Sequence, residues 1–282
     1  MPIVVLVSET LAVHPTQDTD DAAMPSLTSA EFDEKLVVLS GANGDERAGP
    51  CLGETRANEI GDARAESCDA PESHTGRRLR FGARNNNRAS VFLKFLIDTF
   101  GLPVLRAQGG VVDVAGGVGE LACRLAYCHQ TDCVLVEPRD DVRLQWCLES
   151  RILPHLPMKW RERFTPDKGA QVLAQHVTHL QLMFEHDAMQ HAELAHALRN
   201  CALITGMHPD SAAEPIVDVA LQLGKPFAIV PCCVFPNSAP HRAHVRTHED
   251  FLIYLQAKHP DIQRTKLAMN GRCDVLYYLA QM

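Results

Sequence analysis

The chain has 282 residues, 46% of them hydrophobic and 6% aromatic, which bounds it at one sizeable domain with extra material or two small domains. Its formal net charge of -8 is unevenly spread: residues 1–75 hold 15 Asp and Glu against 4 Lys and Arg, and the remainder holds 20 against 23. Ten cysteines without a regular framework exclude a small secreted disulfide scaffold. Ile3 to Val7 is too short for a membrane span and no basic segment precedes it, so a soluble, intracellular, cytoplasmic protein with no membrane partner is expected.

In chain order, residues 1–40 carry two short apolar runs, Ile3 to Val7 and Leu36 to Leu39. Residues 41–78 have almost no apolar cluster and no period of two or 3.6. An acidic, largely disordered region over 1–78 and a functional domain over 79–282 are therefore expected. The pattern from Ala89 to Phe100 predicts a helix closed by Gly101, with Val91, Phe92, Phe95, Leu96 and Phe100 on its apolar face. Strands are predicted at Gly110 to Val114, Cys133 to Glu137, Val177 to Phe184, Ala202 to Gly206 and Pro226 to Val230. Helices separate them, among them Ala188 to Asn200 and one opened by a Ser211-Ala-Ala-Glu214 capping box and closed by Gly224. Thr247 to Lys258 supplies another helix. Arg264 to Met269 and Cys273 to Leu279 flank Asn270-Gly271 as a β-hairpin, so the last strand runs antiparallel to its neighbour. The alternation implies an α/β fold, a mostly parallel, doubly wound sheet with helices on both faces.

One stretch narrows function further than the rest. Val111 to Glu137 is an apolar strand carrying Asp113, a turn containing Gly116, Gly117 and Gly119, a helix, and a second strand ending on Glu137. The glycines allow a tight turn and close approach to a ligand, and the helix start presents unpaired N–H groups. Glu137 stands where an acid accepts hydrogen bonds from ribose hydroxyls. Gly117-Val-Gly119-Glu-Leu-Ala122 also satisfies the dinucleotide pattern G-x-G-x-x-A, which keeps an NAD(P)-dependent oxidoreductase open. Asp113 opposes that reading, because an acid before the turn repels a pyrophosphate but suits the ammonium of an amino-acid moiety, as in S-adenosylmethionine.

Asp113-Val-Ala115-Gly116-Gly117-Val-Gly119 resembles motif I, Asp-x-Gly-x-Gly-x-Gly, of the class I S-adenosylmethionine-dependent methyltransferases, with Ala115 in place of the first glycine. The resemblance implies a Rossmann-like sheet of seven strands whose seventh is antiparallel and inserted beside the fifth. It implies S-adenosylmethionine as methyl donor, held by Asp113, Ala115, Gly116, Gly117, Gly119 and Glu137. Past the carboxyl end of the third strand, Glu185 or a nearby backbone group can reach the adenine, and Glu185 can instead be a solvated loop acid.

Residues just past the fourth and fifth strands lie where such a fold faces its acceptor. Gly206-Met207-His208-Pro209-Asp210 offers acceptor-binding or general-base groups in His208 and Asp210, although Asp210 can instead cap the next helix. Pro231-Cys232-Cys233 is open to three readings: thiols packed beneath the cofactor, a cysteine nucleophile needing a thiolate beside a positive charge, or a metal site completed by His241, His244 and His248. Adjacent cysteines without a CxxC pair argue against the last, so no metal is expected. Arg242 and Arg246 can alternatively form a basic loop on an anionic substrate. The Pro-Cys-Cys wording is similar to methyltransferase-like proteins related to the paired-cysteine tRNA 2′-O-methyltransferases. The expected activity is methyl transfer to an acceptor of unknown class, an RNA or a small molecule. A methyltransferase-like protein that binds a partner without turnover stays open beside it.

Overall fold

Strands that are apolar at every position must be covered on both faces, and this chain places helices on either side of one sheet. The computed structural model describes residues 87–107, 109–161, 165–236 and 240–280. The acidic region expected over 1–78 and the domain start at 79 lie outside them. β1 (Val111–Val114) and β5 (Phe227–Val230) are buried at every residue. With β2 (Cys133–Val136), β3 (Val177–Leu180) and β4 (Leu203–Met207) they form a parallel block. β6 (Gln263–Lys266) and β7 (Asp274–Tyr278) form a hairpin, and β7 is antiparallel to β5 as well. The seven-stranded order is β3-β2-β1-β4-β5-β7-β6.

The period of two sorts the core into two layers. Val111, Leu135, Leu203, Ala228 and Val230 point to one side, where Phe92 and Leu96 of α1 (Arg88–Phe100) and Leu121 and Leu125 of α2 (Glu120–His129) meet them. Leu173 of α3 (Pro166–His176) packs outside α2, with Ala126, Leu148 and Ile152. Val112, Val114, Ile204, Phe227 and Ile229 point to the other side, against α4 (Ala192–Asn200), α5 (Ala213–Leu223) and α6 (His248–Gln256). Among the described residues, no helix is long and apolar enough to cross a membrane.

Several local expectations are corrected. Ser211 and Glu214 do not form a capping box: α5 has no side-chain cap, because Glu214 is committed to a buried ion network described below. The capping box belongs to Thr247 and Asp250 at the start of α6. The third strand stops at Leu180, where the Leu182 N–H folds back on the Leu180 carbonyl (2.9 Å) and Phe184 turns into the core. Ala188 to Asn200 begins as a 3-10 turn, Ala188–Gln190, and becomes α-helical from Ala192. The hairpin is real, but its tight Asn-Gly turn is not. Lys266 pairs with Asp274, leaving residues 267–273 as a longer connection. Its tip is held by Arg88, whose Nη2 donates to the Asn270 carbonyl at 3.0 Å.

Candidate functional site

The order reverses at β1, which lies between β2 and β4, so the crevice beyond the carboxyl ends of these strands is the natural ligand position. Backbone strain gathers at that edge. Ala115 (φ 54°), His208 (φ 59°), Asp210 (φ 47°) and Phe235 (φ 48°) all adopt the left-handed region beyond the ends of β1, β4 and β5. Each costs an L-residue about 1–2 kcal/mol, offset by the contacts that hold it. Ala115 thus achieves by strain the turn that glycine gives freely, and its N–H donates to the Val136 carbonyl at 2.8 Å.

Two carboxylates define the first half of the site. Asp113 and Glu137 are 1% and 5% exposed. Glu137 Oε2 accepts the Gly117 N–H at 2.8 Å, and Oε1 accepts Arg139 Nε at 2.8 Å. The Glu137 backbone is pinned by β3: its N–H donates to the Leu180 carbonyl (3.1 Å) and its carbonyl bonds His179 Nε2 (2.8 Å). Asp113 is treated differently. Its Oδ2 is buried without a hydrogen-bond partner. Burial, and then the negative charge of Glu137, push the Asp113 carboxyl up to about 7. The two acids therefore sense each other across the strand tips.

The glycine turn is shaped around Asp113. A β-carbon on Gly116 would lie 2.4 Å from Leu135 Cδ1 and 2.5 Å from Asp113 Oδ2; on Gly119 (φ +78°) it would lie 2.4 Å from Leu144 Cδ2. Gly116→Ala is expected to cost roughly 1–3 kcal/mol of stability by overpacking, read by thermal denaturation.

The second half joins the ends of β4 and β5. The His208 N–H donates to the Val230 carbonyl at 3.0 Å. Its Nε2 is buried without a hydrogen-bond partner, and burial followed by the nearby Arg88 charge lowers its pKa, keeping the imidazole neutral. Asp210 does not cap α5; its Oδ1 accepts the Cys232 thiol at 3.2 Å. Burial and that bond push the Cys232 thiol up to about 12. A protonated donor beside a carboxylate lacks the cation that a thiolate nucleophile needs. Cys233 is half-buried next to it.

The remaining expectations separate. Glu185 is exposed and contributes a backbone carbonyl, which accepts the Ala188 N–H. The three histidines do not converge on the cysteines: His241 Nε2 bonds Glu214 Oε1 (3.0 Å), His244 stacks edge-on to Tyr254, and His248 Nε2 bonds the Pro231 carbonyl (3.0 Å). Arg242 is buried on Glu214 rather than presented to a substrate, while Arg246 is exposed. Sequence reasoning missed Arg139, His179, Glu214 and Arg88. Only Arg139, two residues past the acid that ends β2, carried a local signal.

No protein-family model and no curated protein matches the sequence. Among solved structures, the chain is similar to the methyltransferase domain of bacterial CtHen1 (11% identity, 69% of this chain and 99% of that one, TM-score 0.41). It is also similar to an RNA methyltransferase from Salinibacter ruber in complex with S-adenosyl-L-homocysteine (12%, 66% and 88%, TM-score 0.38). A third is ribosomal protein L11 methylase from Lactobacillus delbrueckii subsp. bulgaricus (11%, 69% and 77%, TM-score 0.35). At such values the strand order, not the similarity, identifies the fold. Five parallel strands in the order β3-β2-β1-β4-β5, with an antiparallel β7 inserted beside β5, form the Rossmann-like, doubly wound seven-stranded sheet with an antiparallel C-terminal hairpin strand that the sequence leads one to expect.

Proposed function

We propose that the chain is an S-adenosylmethionine-dependent methyltransferase. The observation that carries this reading is Asp113: a carboxylate buried with one oxygen unpartnered, beside a second acid, at the tip of a central parallel strand. An orphaned buried acceptor costs about 1–3 kcal/mol or more, a cost that a cationic donor group on a ligand removes. The ammonium of an adenosyl-amino acid is such a group. A dinucleotide pyrophosphate would meet the Asp113 carboxyl instead, which disfavours the oxidoreductase reading.

The residues fit the donor. Asp113 would take its ammonium, the turn from Gly116 to Gly119 would line it, and Glu137 would take the ribose hydroxyls. Glu137 already accepts bonds from Gly117 and Arg139, so a ribose requires Arg139 to swing away. With 52% of its side chain exposed, Arg139 is free to do so. The donor, when bound, supplies a methyl group on a sulfonium sulfur. The chain's contribution is alignment of that group with an acceptor held near His208, Asp210 and Cys232, and His208, neutral at physiological pH, can take a proton from an acceptor that carries one.

Isothermal titration with S-adenosylmethionine and with NADH tests the reading. One-to-one binding of the former and none of the latter is expected; NADH binding without S-adenosylmethionine binding reverses it. Radiolabelled donor incubated with fractionated RNA, protein and metabolites then names the acceptor class, and donor binding without transfer to any fraction would mark a binding protein.

A further inference from the structure

The geometry points to a site for a thiophilic divalent cation, formed by Asp210, Cys232 and Cys233 at the carboxyl ends of β4 and β5. One ligand atom from each of the three residues lies within 4.8 Å of the other two. Tetrahedral coordination at zinc-like bond lengths separates two sulfurs by about 3.8 Å and a sulfur from an oxygen by about 3.6 Å. The Cys232 Sγ to Asp210 Oδ1 distance of 3.2 Å already falls near that spacing. Three protein ligands, two thiolates and a carboxylate, form a donor set suited to zinc, with a fourth position left for water or a ligand atom. Asp210 is exposed and both cysteines are half-buried, so solvent reaches the ligand atoms.

Adjacent cysteines seldom share one metal, because consecutive side chains along an extended backbone diverge. Here the pair lies beyond the end of β5 and its backbone is held from both sides. His248 Nε2 bonds the Pro231 carbonyl at 3.0 Å, just before the pair. Arg242 Nη1 donates to the Val234 carbonyl, just after it. Phe235 then turns through the left-handed region (φ 48°). On the facing loop, Asp210 is itself left-handed (φ 47°) and the His208 N–H is tied to Val230. The convergence of the three ligands is thus fixed by groups that are not ligands, as preorganised metal sites require. Cation binding displaces the thiol protons to solvent and replaces the Cys232–Asp210 hydrogen bond with coordination.

The site lies on the acceptor side of the crevice but does not depend on the methyltransferase reading, and its test uses no methyl donor. The full-length chain, reduced and desalted, is titrated with Co2+ in a Cys51→Ser, Cys68→Ser background. The expected result is one Co2+ per chain with an ultraviolet thiolate-to-cobalt charge-transfer band, displaced by Zn2+. Cys232→Ser and Cys233→Ser should each weaken binding by roughly a hundredfold or more, and Asp210→Asn by roughly tenfold. Should the variants not fold, the unsubstituted pair gives a second readout: Zn2+ should slow alkylation of Cys232 and Cys233, mapped by peptide, but not of half-buried Cys128 and Cys273. Absence of the band, its survival in both serine variants, or alkylation unchanged by Zn2+ overturns the proposal.

Discussion

Glu214→Ala is expected to lower stability by about 3–5 kcal/mol at neutral pH, the usual cost of removing one partner from a buried charge network, and the melting temperature by roughly 6–20 °C. Glu214 is 3% exposed and gathers four partners: Arg242 Nε (2.6 Å), the Tyr254 hydroxyl (2.6 Å), Lys258 Nζ (3.0 Å) and His241 Nε2 (3.0 Å). Arg242, also buried, lies 4.6 Å from the Phe251 ring centroid and holds the Val234 carbonyl. Removing Glu214 leaves that guanidinium in a dry site without its counter-charge. Glu214→Met with Arg242→Met should recover much of the loss, since a well-packed apolar pair replaces a buried ion pair at little cost.

The same network sets an acid limit. Burial alone would raise the Glu214 pKa, but bonds from Tyr254, Lys258, His241 and Arg242 overcome it and hold the carboxyl down to about 2. A depressed carboxyl stabilises the fold fully above its ordinary value of 4.5 and loses that contribution as pH falls toward 2. Thermal denaturation between pH 5 and pH 3 should show a steeper loss for the natural chain than for the Glu214→Met, Arg242→Met double variant. Equal slopes would place the acid sensitivity elsewhere.

Asp113→Asn is expected to pull stability and ligand affinity in opposite directions. The native carboxyl sits at about 7 against 3.8 for a free one, so the unfolded chain releases its proton first and stability falls as pH rises from about 4 to 7. The penalty above pH 7 is bounded by the shift at about 4 kcal/mol. The groups that set it are burial beneath the glycine turn and Glu137, whose own charge is paired with Arg139. Asparagine carries no charge to bury, so the variant should keep between pH 5 and pH 8 the stability that the natural chain loses. It should also lose roughly 10–100-fold in donor affinity, because a charge-assisted bond to the ammonium becomes a neutral one.

What the sequence made legible was whatever a short window determines. The glycine turn, the acids at the tips of β1 and β2, and the antiparallel end of the sheet each follow from neighbours a few residues apart. Glu214 shows where such reading fails. Ser211-x-x-Glu214 satisfies a capping pattern locally, yet partners 27 to 44 positions away win the side chain because pairing a buried charge outweighs capping one helix. Asn270-Gly271 likewise suits a two-residue turn, but Arg88, 182 positions away, fastens the loop in a wider form. The meeting of Asp210 with Cys232, 22 positions on, depends on β4 and β5 lying side by side, which no window of the sequence reveals.

The most direct measurement compares calorimetric binding of S-adenosylhomocysteine with that of methylthioadenosine, which keeps the adenosyl group but lacks the amino acid. The natural chain should prefer S-adenosylhomocysteine by roughly tenfold or more, Asp113→Asn should erase most of that preference, and Glu137→Ala should weaken both ligands alike. Equal binding of the two by the natural chain, or binding of neither, would contradict the assignment of Asp113 and Glu137 to the two ends of a methyl donor.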